Sequence, residues 1–186
     1  MRSFLALCFV LFLAGCGDGG DWHMTNVTGG PPRLEFRLTD AQGRRVTGDS
    51  YRGKVVALYF GYTHCPDVCP NTLANLADVA KRVGNPDFRI LFVTVDADRD
   101  VPAVLRAYAD AFSPNMQGLY GTANELADVA RRYRVAHGVT KGPPYEVMHT
   151  NAVFFFDRDG RARLVTLDSN RPAEMAADVT RLLEQQ

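Results

Sequence analysis

Two cysteines and one distant histidine are the residues of this chain whose types and spacing best support chemistry. Cys65 and Cys69 are separated by three residues within GYTHCPDVCP (residues 61–70), and His149 lies far downstream within MHT. Two soft sulfur atoms held this close can serve a redox reaction, bind a metal ion, or do both. The other two cysteines, Cys8 and Cys16, lie near the N-terminus, so we expect the function to reside around residues 65–69.

The first residues indicate where that chemistry takes place. Arg2 is followed by an apolar run of 11 residues, 4–14, which is shorter than the roughly 20 residues of a membrane-spanning helix and typical of a signal-peptide core. The run ends in LAGC (residues 13–16), which resembles the lipobox of bacterial lipoproteins. The resemblance implies that residues 1–15 are a lipoprotein signal peptide and that Cys16 is lipidated. The protein would then be anchored to a membrane of the bacterial cell envelope, facing the periplasm. An ordinary secretory signal with an incidental cysteine is the alternative.

The segment after Cys16 is expected to be a flexible tether, and residues 33–186 a single folded domain. Residues 17–32 are rich in glycine, end in GGPP and show no apolar periodicity. A flexible segment of this length typically reaches about 20 to 24 Å. The domain would therefore lie close to the membrane surface, to which the lipid anchor attaches it.

The charge balance argues against nucleic acid as a partner. Lysine plus arginine and aspartate plus glutamate each number 21, which gives a formal net charge of zero and none of the basic excess that phosphate binding rewards. Export also places the cysteine pair in an oxidising compartment, where a free dithiol does not stay reduced by default. The pair must therefore be kept reduced or be bound to something.

The apolar pattern predicts alternating strands and helices. Continuous apolar runs at residues 55–60 and 90–95 indicate buried strands, and helical spacing follows Cys69 until Gly84. A second helix is expected after Asp100 as its cap, a third after the capping-box sequence TANE (residues 122–125), and a fourth near the C-terminus. Hairpins are expected at residues 34–47 and 152–167. This order predicts an α/β fold with a central mixed sheet, largely parallel, helices on both faces, and an N-terminal β-hairpin.

The cysteine pair stands where a strand leads into a helix, which resembles the arrangement of the thioredoxin fold. Pro70 favours a helix start near Cys69, with Cys65 in the preceding turn. Both sulfurs would then lie near a helix N-terminus, whose unpaired N–H groups favour thiolate over thiol. A plain stabilising disulfide is the alternative, but the loop that it would close is too short to contribute much stability.

Three sequence segments together resemble the Sco/SenC family, membrane-anchored copper-binding proteins with a thioredoxin-like fold that act in cytochrome c oxidase assembly. They are YFGYTHCPDVCP (residues 59–70), VTVDADRD (residues 93–100), and His149 just before the predicted strand at 151–156. The resemblance covers about residues 33–184. It implies that Cys65 and Cys69 are the two sulfur ligands of copper and that His149 is the imidazole ligand. The family often has an acidic residue just before this histidine, where this chain has Met148, whose thioether could also reach copper.

The ligand set that the resemblance implies is chemically suited to copper. Thiolates select Cu(I), and imidazole tolerates both Cu(I) and Cu(II), whereas a closed structural zinc site generally has four protein ligands. Two functions remain open. One is a copper chaperone that acts on cytochrome c oxidase subunit II or on another copper chaperone, and the other is a thiol-disulfide reductase whose redox-active pair is Cys65 and Cys69. A reductase does not need His149, whereas a three-coordinate copper site does.

Several other residues are weaker candidates. His64 adjoins Cys65, but its side chain is expected to point to solvent or to support the ligands from outside. His137 follows a helix and is expected to satisfy backbone groups, and His23 and Met24 lie in the predicted tether. The aspartates at 96, 98 and 100 do not fit a calcium loop, because the sixth and twelfth positions lack glycine and glutamate, and are expected to form a strand-to-helix turn.

Overall fold

The computed structural model describes residues 21–185. The predicted signal peptide at 1–15 and the predicted lipidation site Cys16 lie outside these residues. The described part of the chain contains ten strands and four helices. The first half comprises β1 (Thr25–Asn26), β2 (Arg37–Asp40), β3 (Arg45–Thr47), a 3₁₀ turn (Gly48–Tyr51), β4 (Val55–Gly61), α1 (Val68–Val83), β5 (Phe88–Thr94) and α2 (Pro102–Phe112). The second half comprises β6 (Met116–Tyr120), α3 (Ala123–Arg132), β7 (His137–Thr140), β8 (Glu146–His149), β9 (Val153–Phe156), β10 (Ala162–Thr166) and α4 (Pro172–Glu184).

Eight of these strands form one mixed sheet in the order β1-β10-β9-β4-β5-β6-β2-β3. Strands β4, β5 and β6 are parallel to one another, whereas β9 runs antiparallel to β4 and β2 runs antiparallel to β6. All seven residues of β4 are buried, as expected for a central strand that is covered on both faces. The predicted α/β fold with a central mixed sheet, flanking helices and an N-terminal β-hairpin, β2–β3, is confirmed. The expectation that the sheet is largely parallel is wrong, because five of its seven strand pairings are antiparallel and only two are parallel.

Local signals fix several helix ends as predicted. Helix α1 ends at Gly84, whose φ of 62° is the left-handed conformation that glycine adopts at low cost. Thr122 and Glu125 form the predicted capping box of α3. The predicted cap of α2 is wrong: Val101 occupies the N-cap position without a side-chain cap. The carboxylate of Asp100 instead accepts hydrogen bonds from other parts of the chain, described below.

The prediction of a flexible tether is wrong for the part of it that the structure describes. Thr25 and Asn26 pair with β10, and Met24 is buried in the core. The carboxylate of Asp178 on α4 accepts hydrogen bonds from the backbone N–H groups of His23 and Met24, at 3.0 and 2.8 Å. Long-range partners therefore order a segment that has no local pattern of its own, and the packed domain begins before residue 33.

The β7–β8 hairpin is a second element that the sequence did not predict. It forms a separate two-stranded sheet, in which His137 lies opposite His149 and Thr140 lies opposite Glu146. The hairpin matters because β8 carries the candidate histidine at its end. Among residues 21–185, no helix combines the length and the apolar character that crossing a membrane requires.

Candidate metal centre

The two cysteines lie at the junction between the central strand β4 and helix α1. Helix α1 begins at Val68, so Cys69 lies in its first turn and Cys65 in the preceding loop, as predicted. The backbone N–H of Cys69 donates a hydrogen bond to the Sγ of Cys65 at 3.4 Å. The Cys69 side chain is fully buried, whereas Cys65 is partly exposed. One sulfur therefore faces the interior and the other remains accessible to solvent.

A buried carboxylate fixes the start of the cysteine loop. Asp100, which is 1% exposed, accepts hydrogen bonds from the backbone N–H and the hydroxyl of Thr63, at 3.0 and 2.5 Å. The hydroxyl of Thr94, at the end of β5, donates to the same carboxylate at 2.6 Å. These bonds hold the loop against the neighbouring strand, and they explain why Asp100 is not available to cap α2.

His149 reaches the cysteines from the opposite side of the site. Its Nε2 atom lies 3.1 Å from the Sγ of Cys69. Its Nδ1 atom lies 3.2 Å from the carbonyl oxygen of Thr150, and since a carbonyl oxygen can only accept, Nδ1 carries the proton in this contact. The Nε2 lone pair is therefore directed at the Sγ of Cys69, which is the tautomer that metal binding through Nε2 requires.

The three side chains form one compact donor group. The Sγ atoms of Cys65 and Cys69 and a ring nitrogen of His149 all lie within 4.8 Å of one another. This is the only such cluster of three or more histidine, cysteine or acidic side chains within residues 21–185. Two sulfurs and one imidazole nitrogen are donors that suit copper, so the side chains present fit the metal that the sequence predicted.

Aromatic rings enclose the imidazole. The ring centroids of Tyr59 and Tyr62 lie 6.0 and 5.9 Å from that of His149, both in edge-on geometry. The Tyr59 hydroxyl donates to the Oδ1 of Asn151 at 3.0 Å, which fixes its ring beside the site. Both tyrosines are buried, so on this side the imidazole packs against the protein interior. The sequence does not predict a role for either tyrosine, although both belong to the segment at residues 59–70.

The two thiols have opposite electrostatic environments. Burial raises the pKa of Cys69 to about 12. Burial also acts to raise the pKa of Cys65, but hydrogen bonds from the backbone N–H groups of Cys69 and Asp67 outweigh it, so the pKa of Cys65 is lowered. The expectation that both sulfurs favour thiolate is therefore met only by Cys65, because desolvation dominates at Cys69. Burial lowers the pKa of His149, which keeps its imidazole neutral and able to bind a metal.

The backbone at the end of β4 lies so close to the buried sulfur of Cys69 that no side chain fits between them. A Cβ atom at Gly61 would lie 3.0 Å from the Sγ of Cys69 and 2.8 Å from a ring carbon of Phe92. Glycine at this position therefore allows the strand to approach the site closely. A side chain here would push either the aromatic ring or the sulfur atom away.

The weaker candidates lie outside the donor group. The His64 side chain is half exposed, with Nδ1 3.1 Å from the hydroxyl of Thr63. His137 is exposed and lies on β7 rather than at a helix end. Met148 is 70% exposed, and because neighbouring residues of a strand point to opposite faces, its thioether points away from the side of β8 that carries His149. His23 lies in the N-terminal segment, with its Nδ1 atom 3.0 Å from the Oδ1 of Asp178 on α4.

Comparison with known proteins places this geometry in a family. The family model described as SCO1/SenC matches residues 28–184. The human mitochondrial SCO1 homologue is 36% identical over 160 residues, which are 81% of this chain and 51% of that protein. The bovine mitochondrial SCO2 homologue is 39% identical over 135 residues, which are 68% of this chain and 50% of that protein. The chain thus spans about half the length of these curated relatives.

Solved structures match over more of their length. ScoI of Bradyrhizobium japonicum, solved with copper bound, is 39% identical with a TM-score of 0.73, covering 80% of this chain and 98% of that one. Apo Sco1 of Thermus thermophilus is 32% identical with a TM-score of 0.78, covering 89% and 99%. The fold, the strand-to-helix cysteine pair and these matches agree, and the chain belongs to the SCO1/SenC family.

Proposed function

We propose that this protein is a copper chaperone that holds copper through Cys65, Cys69 and His149 and delivers it during assembly of cytochrome c oxidase. The observation that carries the proposal is the convergence of two sulfur atoms and one imidazole nitrogen within 4.8 Å. Family membership supports the choice of metal, because related Sco proteins of Bradyrhizobium japonicum and Arabidopsis thaliana, 39% and 30% identical, were solved with copper bound.

The donor set suits a metal that is carried rather than kept. Thiolate sulfur favours Cu(I) and imidazole also accepts Cu(II), so the site can hold copper in either oxidation state. Three protein donors leave room for an incoming ligand from an acceptor before the donor residues release the metal. The acceptor in this proposal is subunit II of the oxidase or another copper chaperone.

Copper binding and thiol ionisation are coupled at this site. A thiol must lose its proton to become a good metal ligand, and the raised pKa of Cys69 means that its proton leaves only when the metal arrives. Cys65, with its lowered pKa and partial exposure, offers the first sulfur to an approaching ion. His149 needs no change, because its neutral ring already directs Nε2 at Cys69.

We further propose that Cys16 is lipidated and anchors the protein to a membrane of the cell envelope, facing the periplasm. The packed domain begins near His23, so the sequence between anchor and domain is shorter than the predicted tether. Six peptide units from Cys16 to Trp22 span at most about 22 Å even when fully extended. Delivery would therefore take place close to the membrane surface.

A thiol-disulfide reductase is the second candidate function, favoured by the unequal environments of the two cysteines. An accessible sulfur with a lowered pKa is suited to attack a disulfide, and a buried partner is suited to resolve the mixed disulfide. In this function, Cys65 would attack and Cys69 would complete the exchange. The substrate would be a disulfide in an oxidase subunit or in another copper chaperone.

Complementation of a deletion strain under copper limitation separates the two functions. Under the chaperone proposal, Cys65→Ser, Cys69→Ser and His149→Ala all fail to restore oxidase activity, and added copper restores part of it. The matched control is His64→Ala, a half-exposed histidine beside the site, which should complement fully. If His149→Ala complements while both cysteine variants fail, copper delivery is wrong and the reductase function replaces it.

A further inference from the structure

The hairpin that carries His149 has little packing of its own to hold it in place. Strands β7 and β8 pair only with each other, and all eight of their residues are exposed or intermediate. A two-stranded hairpin without a buried face is marginally stable in water. One apolar residue of the hairpin, Val147, is partly buried and packs against the hydrophobic core. The short distance between His149 and Cys69 therefore also requires contacts made outside the two strands.

Such contacts are found at the turn of the hairpin. The Tyr145 hydroxyl donates a hydrogen bond to the Oδ1 of Asp96 at 2.8 Å. Arg99 places its guanidinium carbon 3.9 Å from the centroid of the Tyr145 ring and donates from Nε to the Oδ2 of the same carboxylate at 2.5 Å. Each of the three side chains thus contacts the other two. We call these residues, Tyr145, Asp96 and Arg99, the Tyr145 clamp.

Separate hydrogen bonds hold the base of the hairpin, where β7 begins and β8 ends. The backbone N–H of Thr150 donates to the carbonyl oxygen of Ala136 at 2.9 Å, and the N–H of Ala136 donates to the Thr150 hydroxyl at 3.0 Å. A surface ion pair between Lys141 and Asp98 adds a second contact at the turn, but exposed pairs of this kind contribute little. The Tyr145 clamp is therefore the principal contact that fixes the turn.

The clamp rests on the same turn that holds the cysteine loop. Asp96 is 1% exposed, and its carbonyl oxygen accepts a hydrogen bond from the N–H of Asp100 at 2.9 Å. The Asp100 carboxylate in turn binds Thr63, two residues before Cys65. The turn at residues 96–100 thus connects the cysteine side of the site, through Asp100, with the histidine side, through Asp96.

We propose that Tyr145 is a positioning residue for the metal centre, which holds His149 over Cys65 and Cys69 by anchoring the hairpin turn to Asp96 and Arg99. The inference rests on the proposed function for its copper readout, but not for its structural readout. Copper binds with all three donors only while the hairpin is closed, so the apparent affinity falls in proportion to the closed fraction. Loss of the clamp lowers that fraction without removing any ligand.

Two substitutions divide the clamp into its parts. Tyr145→Phe removes the hydroxyl that bonds to Asp96 and keeps the ring beneath Arg99, whereas Tyr145→Ala removes both contacts. Tyr120→Phe is the matched control, because Tyr120 lies on β6 at its pairing with β2. Arg99→Lys keeps the positive charge near Asp96 but loses the planar group that stacks on the ring.

The first readout is amide hydrogen exchange of the metal-free protein, and its result does not depend on whether the protein binds copper. Amides of residues 137–149 should exchange faster in Tyr145→Phe and Arg99→Lys, and faster still in Tyr145→Ala. Amides of the central sheet should keep wild-type exchange rates in these variants. In the control Tyr120→Phe, the hairpin amides should also keep wild-type rates. Unchanged exchange of the hairpin in Tyr145→Ala would overturn the proposal. Faster exchange throughout the domain would also overturn it, since Tyr145 would then act on global stability.

The second readout is copper affinity measured on the same variants. Tyr145→Ala should weaken binding roughly tenfold or more, as loss of residues that orient a ligand typically does, and its Cu(II) spectrum should shift towards that of His149→Ala. Wild-type affinity in Tyr145→Ala would overturn the positioning role. If the wild-type protein binds no copper, the proposed function fails, and the exchange data still decide whether Tyr145 holds the hairpin.

Discussion

Replacing Gly61 by alanine tests whether the position of the Cys69 sulfur depends on the absence of a side chain at the end of β4. The new Cβ would lie 3.0 Å from the Sγ of Cys69, 2.8 Å from Phe92 and 3.2 Å from Tyr59. These contacts are shorter than real Cβ atoms normally make, so the neighbours must move by a few tenths of an ångström. Overpacking of this kind typically costs about 1–3 kcal/mol of unfolding free energy, or about 2–4 °C in Tm for each kcal/mol in a domain of this size.

The effect on the metal centre should exceed the effect on stability. Metal–ligand distances in well-formed sites lie within about 0.2 Å of their standard values, so a sulfur atom displaced by a few tenths of an ångström binds the ion less well. We expect Gly61→Ala to weaken copper binding by about tenfold, within the range of changes to residues that position ligands. Competitive titration of the reduced domain with a copper chelator measures this affinity.

Gly118→Ala is the matched control for this experiment. A Cβ at Gly118 would lie 2.5 Å from the Cγ of Leu105, between β6 and α2, so this variant is overpacked away from the cysteines. It should lose a comparable amount of stability and keep wild-type copper affinity. Equal losses of affinity in both variants, or unchanged affinity in Gly61→Ala, would refute the reasoning that Gly61 is fitted to Cys69.

Three further predictions concern the thiols, a surface carboxylate and an exposed thioether. Iodoacetamide should modify Cys65 before Cys69 in the reduced protein at neutral pH, because the pKa of Cys65 is lowered and that of Cys69 is raised to about 12; equal rates by mass spectrometry would contradict this. A hydrogen bond from Arg45 helps to lower the pKa of Glu125 from 4.5 to about 2, so its stabilising effect is present above about pH 4.5 and is lost as the pH falls towards 2. Glu125→Gln should reduce the loss of unfolding free energy across that window in denaturant titrations, and an unreduced loss would count against the ion pair. Met148→Ala should leave copper affinity unchanged, since this side chain points to solvent, and weaker binding would make Met148 a ligand.

Elements with strong local signals could be predicted from the sequence. The apolar run of β4 requires burial on both faces, and Thr122 with Glu125 forms a capping box that satisfies backbone N–H groups at the start of α3. The cysteine pair lies where the sequence predicts, because a proline follows Cys69 at the start of a helix. These signals depend only on neighbouring residues, which is why a single sequence contains them.

Elements that depend on distant partners could not be predicted. Strand β1 consists of two exposed residues whose pairing is supplied by β10, and Met24 is held by Asp178 on the last helix. The β7–β8 hairpin lacks a regular apolar alternation, and its position depends on Tyr145 reaching Asp96. The role of Asp100 could not be predicted either, because nothing near it in sequence indicates that its carboxylate binds Thr63.

The electrostatics of the site also required the structure. Position at a helix N-terminus favours thiolate at both cysteines, but the sequence does not indicate how deeply each sulfur is buried. Cys69 is fully buried and Cys65 is not, so desolvation reverses the expectation for one sulfur only. The difference assigns distinct roles to two residues that look equivalent in the sequence.

Copper binding by the reduced protein, measured for wild type and for His149→Ala with both Cu(I) and Cu(II), tests the central claim most directly. We expect wild-type protein to bind one copper ion per chain in either oxidation state, with X-ray absorption showing two sulfur donors and one nitrogen donor from the cluster of Cys65, Cys69 and His149. His149→Ala should lose the nitrogen donor and bind Cu(II) far more weakly. Equal affinities and unchanged absorption spectra in the two proteins would contradict the assignment of His149 as a ligand and, with it, the proposed copper centre.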